Sequence, residues 1–348
     1  MRITNPKGIN GIVAARMTVT RDAVAHPQDL SRMYMDRFNV SRVTANRYIA
    51  EFENEGWVAR SGPKTRPVYA PGYKRKISHL YSLTGLEEQI PWEKDFSPYF
   101  NLVPNVRNIA HHGFTEMLNN AIDHSQGQKV FVHMLQDEKS LLIVVSDDGI
   151  GIFEKISNAL NLPDRRQAIF ELSKGKLTTD PSRHSGEGVF FTSRMFDRYV
   201  IEANGLEFNH LADAEFDHFD EAEGTFDNGT TVFMRIALDS ERTTSAVFEE
   251  YMNKPEDYGF TKTVVPMKLA QYGDEQLISR SQAKRLIARF EKFKKVVLDF
   301  QGVHEIGQAF SDELFRVYGK SNPQIELIPI NMEKGVEQMW LRVMAPGL

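Results

Sequence analysis

The chain has 348 residues, 41% hydrophobic and 26% charged, which is ordinary for a globular protein long enough for two or three domains. It contains no cysteine, which excludes disulfides and thiolate metal sites and suits a reducing compartment. No apolar run approaches the ~20 residues that a membrane-spanning helix needs, and the first residues lack an apolar signal region, so we expect a cytoplasmic protein with no membrane partner.

The charge is distributed unevenly along the chain. Residues 1–75 hold 10 Arg and 3 Lys against 3 Asp and 3 Glu, a net charge of +7, whereas the whole chain carries −5 and the remainder therefore −12. A basic first segment on an acidic body indicates a polyanionic partner for the first segment only.

This basic segment is predicted to contain three helices and a hairpin. Weak apolar spacing predicts a helix over 9–24, and a clearer pattern predicts one from Leu30 to Phe38. Ser41 is a suitable N-cap for a third helix, Arg42 to Glu55, and two short strands follow it. The buried stripe of the third helix is predicted to consist of Val43, Tyr48, Ile49 and Phe52.

The order of these elements resembles the winged helix-turn-helix domains of bacterial transcription regulators, and we assign it to residues 1–76. In that family the second helix of the motif enters the major groove of DNA. The resemblance implies DNA contacts by Ser41, Arg42, Thr44, Asn46 and Arg47 on the helix and by Arg60, Lys64 and Arg66 on the wing. The alternative is a winged helix that docks a protein and whose basic face is merely solvated.

Residues 77–100 are predicted to connect this domain to the next one. The pattern from Ser78 to Gln89 suggests a coupling helix, and a loop with Pro91, Trp92 and Pro98 follows it. A new domain then starts at residue 101.

Polar residues and glycines between 101 and 188 form a plausible nucleotide pocket. Glu116 and Asn120 lie four residues apart and share one helix face. The Asn120 oxygen can bind Mg²⁺, and Glu116 can orient or deprotonate a water molecule. A strand-like run ends at Asp147, whose ionised carboxylate can only accept hydrogen bonds and therefore suits the amine of adenine.

Two glycine pairs complete the predicted pocket. Gly149 and Gly151 let the backbone approach a ligand without an intervening side chain. Gly186 and Gly188 open onto a helix start, where free backbone N–H groups and the helix dipole favour phosphate.

These motifs, in this order, resemble the N, G1 and G2 boxes of the GHKL ATPases, a superfamily that includes gyrase, heat-shock chaperones, mismatch-repair ATPases, histidine kinases and anti-sigma-factor kinases. Glu116 to Asn120 matches E-x-x-x-N, Asp147 to Gly151 matches D-x-G-x-G, and Asn228 to Thr231 resembles the closing G-T element. The resemblance implies an α/β sandwich, the Bergerat fold, over residues 101–240, with ATP and Mg²⁺ as ligands.

The resemblance also implies a role for each site residue. Glu116 is the catalytic residue and Asn120 the Mg²⁺ ligand. The predicted nucleotide-binding residues are Asn120, Asp123, Asp147, Gly149, Gly151, Lys174, Lys176, Thr178, Gly186, Gly188 and Thr230. The stretch between Gly151 and Gly186 is predicted to be an ATP lid whose basic residues close on the phosphates.

Each motif taken alone has a simpler interpretation. Glu116 and Asn120 would form an ordinary polar helix face, the glycines would mark turns, and Lys174 and Lys176 would belong to a solvated basic loop. His111, His112 and His124 suggest a metal site, but they lack a carboxylate or thiolate partner pattern, which favours surface or pocket-rim positions.

Residues 262–345 alternate helical and strand patterns, which indicates a small α/β domain. We predict a helix from Leu277 to Phe293, strands from Val296 and Ile325, and helices from Phe310 and Gly335. The segment resembles the STAS-like domains attached to GHKL ATPases in some bacterial proteins.

Ser311 has two interpretations. The resemblance to anti-sigma-factor antagonists implies a phosphoacceptor near this position, although the surrounding sequence departs from their D-S-S-G form. The alternative is that Ser311 caps a helix that begins at Asp312, where acidic residues favour the helix N-terminus.

The predicted fold class is therefore multi-domain α+β: a winged helix, a GHKL-type sandwich and a small STAS-like α/β domain. The leading hypothesis is an ATP-binding transcription regulator in which Mg-ATP binding or hydrolysis modulates DNA binding. The second is a serine/threonine kinase of the anti-sigma type that acts on its own or a partner STAS domain. The third is a bare ATPase clamp in which dimerisation, rather than phosphoryl transfer, matters. Besides DNA, the partners considered are therefore another protein or a second copy of the chain. A histidine kinase is disfavoured, because no phosphoacceptor helix precedes Glu116.

Overall fold

A computed structural model describes residues 11–177, 186–213, 217–221, 228–251, 261–271 and 276–345, with only the backbone for 218–221. These residues form an N-terminal unit (11–74), a central unit (75–251) and a C-terminal unit (261–345), each with its own sheet. In the part of the chain that is described, no helix is both long and apolar enough to span a membrane.

The N-terminal unit contains three helices and a hairpin in the predicted order. The helices are α1 (Gly11–Ala25), α2 (Leu30–Phe38) and α3 (Arg42–Asn54). Strands β1 (Val58–Ser61) and β2 (Val68–Pro71) pair antiparallel. The predicted cap of α3 is confirmed, because the Ser41 hydroxyl accepts a hydrogen bond from the Thr44 amide at 3.2 Å.

The buried face of α3 differs from the prediction at one residue. Ala45, Tyr48, Ile49 and Phe52 are buried, as the spacing of one helical face requires, but Val43 is 80% exposed. Val43 precedes Ala45 by two residues, which places it on the opposite side of the helix. The prediction of a buried Val43 is therefore wrong.

The central unit is built on a seven-stranded sheet in which every neighbouring pair is antiparallel. Its strand order is β3-β4-β5-β9-β6-β7-β8. The strands are β3 (Arg75–Ser82), β4 (Lys129–Gln136), β5 (Ser140–Asp147), β6 (Arg198–Ala203), β7 (Leu206–Leu211), β8 (His218–Glu221) and β9 (Thr230–Ala237).

Helices pack against this sheet and form a second layer with it. The longest helix in the described residues, α5, begins with Pro104 at its first position and buries an i, i+3, i+4 stripe that includes Val106, Ile109 and Phe114. It packs against β5 and β9. The helices of the central unit are α4 (Gln89–Pro91), α5 (Pro104–His124), α6 (Ile152–Leu160), α7 (Arg166–Ser173), α8 (Gly188–Met195) and α9 (Thr244–Tyr251).

The predicted connector over 77–100 is part of the central unit instead. The predicted helix from Ser78 to Gln89 is wrong, because residues 75–82 form β3 and pair with β4 along the whole strand. This pairing satisfies the backbone and places Ile77 in the core. Short helical turns then run to residue 99, and Trp92 and Phe96 pack on Phe114.

The prediction of a lid loop is wrong for residues 152–173. This stretch forms α6 and α7, whose apolar residues, among them Phe153, Ile156 and Ile169, are buried in the core of the central unit. The basic residue Arg183 of the predicted lid lies outside the described residues.

The C-terminal unit has a parallel sheet of order β10-β11-β12, formed by β10 (Lys262–Pro266), β11 (Lys295–Asp299) and β12 (Glu326–Ile330). Helices alternate with these strands, as the sequence predicts. They are α10 (Arg280–Ile287), α11 (Gln308–Ser311) and α12 (Gly319–Ser321), which a π-helical stretch Asp312–Tyr318 joins, and α13 (Lys334–Met344).

Two helix predictions in this unit need correction. The helix predicted from Leu277 to Phe293 is shorter: Ser279 and Gln282 form a capping box at its start, and Arg289 interrupts it with a left-handed φ of 70°. Ser311 is not an N-cap. Gly307 precedes the helix, and Ser311 lies inside it, fully buried, with a hydroxyl that has no hydrogen-bond partner among the described residues.

The buried apolar residues form two clusters in the described part of the chain. One lies within the N-terminal unit. The other runs without a break through the central and C-terminal units, from Ile77 to Val336. The C-terminal unit is therefore packed onto the central unit through apolar contacts.

Candidate functional site

A cavity of about 330 Å³ opens between α5, α6, α8 and the strands β5, β6 and β9. Seven of the residues predicted for the site line it. They are Glu116, Asn120, Asp147, Gly151, Gly186, Gly188 and Thr230. These residues come from four separate motifs, so the fold brings together what the sequence separates by more than a hundred residues.

The remaining predicted residues do not line the cavity or cannot be placed. Asp123 is exposed, and Gly149 is buried behind the wall, where a Cβ atom would lie 2.1 Å from the Ser125 carbonyl oxygen. Lys174 and Lys176 make hydrogen bonds to the C-terminal unit. Thr178 lies outside the described residues.

Glu116 and Asn120 point into the cavity from consecutive turns of α5, as their spacing predicts. A Cβ atom at Gly188 would lie 2.1 Å from the Glu116 Oε2 atom. Any side chain at Gly188 would therefore displace the carboxylate, so this glycine makes room for the acid at the start of α8.

Asp147 ends β5 at the inner wall of the cavity. The Gly149 amide donates a hydrogen bond to its Oδ1 atom at 2.9 Å. Burial nevertheless raises the pKa of Asp147 to about 6, against the lowering effect of backbone hydrogen bonds from Gly149 and Thr230. The carboxylate is therefore ionised at neutral pH. A hydrogen-bond donor bound beside it would stabilise this ionised form and lower its pKa.

The neighbouring Asp148 has a different task. Its Oδ1 atom accepts hydrogen bonds from the amides of Gln128 at 2.7 Å and Lys129 at 2.9 Å, at the start of β4. The pKa of Asp148 lies below its usual range, chiefly because of the bond from Lys129. Asp148 holds two strands together, and Asp147 faces the cavity.

The turn at Gly151 is fixed by side chains of the β6–β7 turn and of β9. Gly151 has a φ of 85°, and a Cβ atom there would lie 2.2 Å from the Asn204 Oδ1 atom. Asn204 donates to the Ile150 carbonyl at 2.9 Å and accepts from the Glu154 amide at 3.1 Å. Thr230 adds an acceptor for the Ile152 amide at 3.0 Å. The loop is therefore preorganised.

Tyr199 forms part of the cavity floor. It is fully buried, and its hydroxyl donates to the Met117 Sδ atom at 3.1 Å. Burial raises the pKa of Tyr199, and the negative charge of Glu116 raises it further. Tyr199 therefore stays neutral beside the acid.

Sequence reasoning missed Lys155, which is the only Lys or Arg among the described residues that line the cavity. Its Nζ atom donates to the His124 carbonyl at 2.6 Å, at the C-terminal end of α5. Burial lowers the pKa of Lys155, and Asp123 counteracts this effect. Its position four residues after Gly151 could have indicated a place near the cavity, but the prediction of a lid loop gave no reason to expect a helix there.

The three histidines do not form a cluster. His124 lines the cavity, whereas His111 stacks on Trp92 and His112 packs edge-on against Phe248. No group of three or more His, Asp or Glu side chains suited to a metal ion occurs in the described residues.

The predicted DNA-contact residues lie on one helix and on the hairpin. Arg42, Asn46 and Arg47 are exposed on α3, as is the capping residue Ser41, while Thr44 is partly buried. Asn46 accepts a hydrogen bond from the Ser31 hydroxyl at 2.8 Å. On the hairpin, Arg60, Lys64 and Arg66 are all exposed.

Comparison with protein families assigns two of the three units. Residues 105–240 match the family described as histidine kinase-, DNA gyrase B-, and HSP90-like ATPase. Residues 282–337 match a STAS-like domain of unknown function (DUF4325). No curated protein matches the chain. The chain therefore contains an ATP-binding domain of the GHKL type and a STAS-like domain, and the cavity lies in the first of them.

Proposed function

We propose that this protein is an ATP-responsive regulator of transcription, in which Mg-ATP in the central cavity modulates DNA binding by the N-terminal unit. The observation that carries the proposal is the cavity itself, where an acid and an amide of α5, the Asp147 carboxylate and three glycines converge. Its volume lies within the range of small-molecule sites.

The chemistry of the cavity suits a magnesium nucleotide. Asp147 can accept a hydrogen bond from the adenine amine, and Gly186 and Gly188 present backbone at the start of α8, where phosphate is favoured. The Asn120 side-chain oxygen would supply one ligand to Mg²⁺, with phosphate and water oxygens supplying the others. Mg²⁺ would neutralise phosphate charge, and Glu116 would take the proton of the attacking group.

Lys155 is expected to contribute to ATP affinity. Its ammonium group is the one cation on the described cavity wall, where two carboxylates would otherwise repel a phosphate. Lys155→Gln should weaken ATP binding by roughly 10-fold, a typical effect for one charge-assisted hydrogen bond. Isothermal titration of ATP measures this. Lys155→Arg should retain most of the affinity, and equal affinity for the Gln variant would exclude the role.

The basic N-terminal unit supports the DNA part of the proposal. Three helices are followed by a hairpin, and the first half of α3 exposes Arg42 and Arg47, whereas the exposed acid Glu53 lies at the far end of the helix. Val43, also exposed there, offers an apolar contact of the kind that thymine methyl groups accept.

Replacing Arg42 and Arg47 together by Ala is expected to weaken DNA binding by about 10-fold or more, because each arginine would contact a phosphate or base edge. Fluorescence anisotropy with a labelled duplex measures it, and the salt dependence should fall as well. The matched control is the Arg285→Ala and Arg342→Ala double variant, which removes the same charge from exposed positions of the C-terminal unit. An equal loss of DNA affinity in the two double variants would mean that the net charge of the protein, and not the position of the arginines, determines binding.

The joint between the N-terminal and central units is short and hydrogen-bonded, which supports coupling between them. The Lys76 amide of β3 donates to the Thr20 hydroxyl of α1 at 3.0 Å. Gln136 of β4 donates to the Tyr73 carbonyl at 3.1 Å, and the Arg75 Nε atom donates to the Gly72 carbonyl at 3.0 Å. A shift of β3 in the sheet would therefore be transmitted to α1 through the Lys76–Thr20 hydrogen bond.

A second candidate is a serine/threonine kinase of the anti-sigma type. It is favoured by the presence of a STAS-like domain beside a GHKL-type domain that carries Glu116. Ser311, the predicted acceptor, is fully buried, so transfer to it would require the α11 segment to open. A hydroxyl of a partner protein is the simpler acceptor.

Incubation with γ-labelled ATP and magnesium separates the two candidates. A hydrolysing regulator releases labelled phosphate and leaves the protein unlabelled. Acid-stable label on this chain, or on an added STAS-domain protein, would instead favour the kinase. Absence of ATP binding would contradict both.

A further inference from the structure

One wall of the ATP cavity is formed by a short stretch of chain that also contacts the C-terminal unit. We name it the 171–177 segment; it runs from the end of α7 to Leu177. Leu172 and Leu177 line the cavity. The Leu177 amide donates to the Gly186 carbonyl at 3.0 Å, which ties the segment to the glycine turn before α8.

Arg289 of the C-terminal unit holds this segment at two points. Its Nη1 atom donates to the Glu171 carbonyl at 3.0 Å and to the Glu171 Oε2 atom at 2.9 Å. Its Nη2 atom donates to the Gly175 carbonyl at 2.7 Å. The guanidinium thus spans the end of α7 and the turn that follows, with only 11% of its side chain exposed.

Further hydrogen bonds join the same two surfaces. The Thr263 hydroxyl of β10 donates to the Lys174 carbonyl at 2.7 Å, and both residues are fully buried. The Lys174 ammonium donates to the Glu171 carboxylate at 2.6 Å and to the Ala288 carbonyl at 3.1 Å. Buried charges are tolerated when they are paired, and here the Glu171 carboxylate pairs with both the Lys174 ammonium and the Arg289 guanidinium.

The backbone is strained on both sides of the contact. Arg289 has a φ of 70° and Lys176 a φ of 49°, in the left-handed region that residues other than glycine seldom occupy. Such conformations persist where the surroundings fix them, and they are concentrated at sites with a function. Here they aim Arg289 at the segment and turn Leu177 toward the cavity.

We propose that Arg289 is a positioning residue for the ATP cavity, and that docking of the C-terminal unit and binding of ATP are coupled through the 171–177 segment. This inference rests on the proposed binding of ATP in the cavity. Docking holds Leu172 and Leu177 in the arrangement that binds ATP. By linkage, bound ATP strengthens docking by the same factor.

The test compares the full chain with Arg289→Met and a matched control. Arg289→Met leaves the Glu171–Lys174 pair intact and balanced, so the fold should persist. Arg285→Met removes the same charge from an exposed position one turn earlier on α10. ATP affinity is measured by titration, and amide hydrogen exchange is followed over 262–266 and 288–293 with and without ATP.

Arg289→Met should lower ATP affinity by about 5-fold or more, whereas Arg285→Met should stay close to wild type. ATP should slow exchange over 288–293 in the wild type and in Arg285→Met but, even at saturation, not in Arg289→Met. If Arg289 only stabilised the fold, replacing it would not remove this ATP-dependent protection. Thr263→Val removes one hydrogen bond of the contact at nearly constant volume and should give a smaller loss of ATP affinity. It replaces Arg289→Met in the test if that variant does not fold.

Two negative results have different meanings. Wild-type affinity in both Arg289→Met and Thr263→Val, with unchanged protection by ATP, would overturn the coupling and leave the proposed function standing. A wild-type protein that binds no ATP would overturn the proposed function and this inference together.

Discussion

Glu116→Gln is expected to abolish ATP turnover and to leave ATP bound. The substitution keeps the shape of the side chain beside Gly188 but removes the carboxylate that we propose as the proton acceptor for the attacking water or hydroxyl. Loss of a general base commonly reduces rate by about 100-fold or more. Release of labelled phosphate from γ-labelled ATP measures turnover, and titration of ATP measures binding.

Glu138→Gln is the matched control, because it makes the same substitution at an exposed position between β4 and β5 that does not line the cavity. It should turn over ATP at nearly the wild-type rate. If Glu116→Gln loses ATP affinity and turnover to the same extent, Glu116 is a binding residue and its assignment as the base is wrong.

Asp147→Asn is expected to weaken adenine binding and, at the same time, to stabilise the ligand-free protein. A charge-assisted hydrogen bond contributes about 1.5–3 kcal/mol, so affinity should fall by roughly 10- to 100-fold. Burial raises the folded-state pKa of Asp147 to about 6 from 3.8. The protonated side chain therefore stabilises the fold relative to the ionised one. This stabilisation is fully present below pH 3.8 and is lost as the pH rises through about 6.

Above pH 6 the partly buried, ionised carboxylate destabilises the ligand-free fold by on the order of 1–3 kcal/mol, which the neutral amide avoids. The melting temperature of Asp147→Asn should thus exceed that of the wild type by a few degrees at pH 7.5, and the difference should shrink toward pH 4. Calorimetry at the two pH values measures this. A lower melting temperature at pH 7.5 would contradict the assignment.

The adjacent Asp148→Asn should behave in the opposite way. Its pKa is lowered by backbone hydrogen bonds, so its ionised form stabilises the fold above its unfolded-state pKa and this contribution is lost as the pH falls. Asp148→Asn should therefore lower the melting temperature at pH 7.5 and affect adenine binding less. Adenosine, which has no phosphate to titrate, is the suitable probe for both variants.

The sequence correctly predicted those site residues whose positions depend only on their near neighbours in the chain. Glu116 and Asn120 share a helix face because they lie four residues apart, and Asp147 faces the cavity because a strand ends there. The residue type at Gly151 also indicates its conformation, since its left-handed φ admits few residues other than glycine.

The errors arose where long-range contacts decide the structure. Lys174 and Lys176 look like phosphate ligands in a basic loop, but each donates to a carbonyl more than a hundred residues away, of Ala288 and Lys292 respectively. β3 looked like a helix because its partner strand, β4, follows only after α5. Lys155 was missed for the same reason, since the cavity wall it joins is formed by other segments.

We propose that ATP in the cavity changes DNA binding by the N-terminal unit. The most direct measurement is the affinity of the full chain for a labelled duplex at fixed salt, with and without saturating Mg-ATP, for the wild type and Asp147→Asn. We expect Mg-ATP to change the wild-type dissociation constant by about 5-fold or more. Asp147→Asn, at an ATP concentration that saturates only the wild type, should not respond. An unchanged wild-type constant with ATP demonstrably bound would contradict the claim.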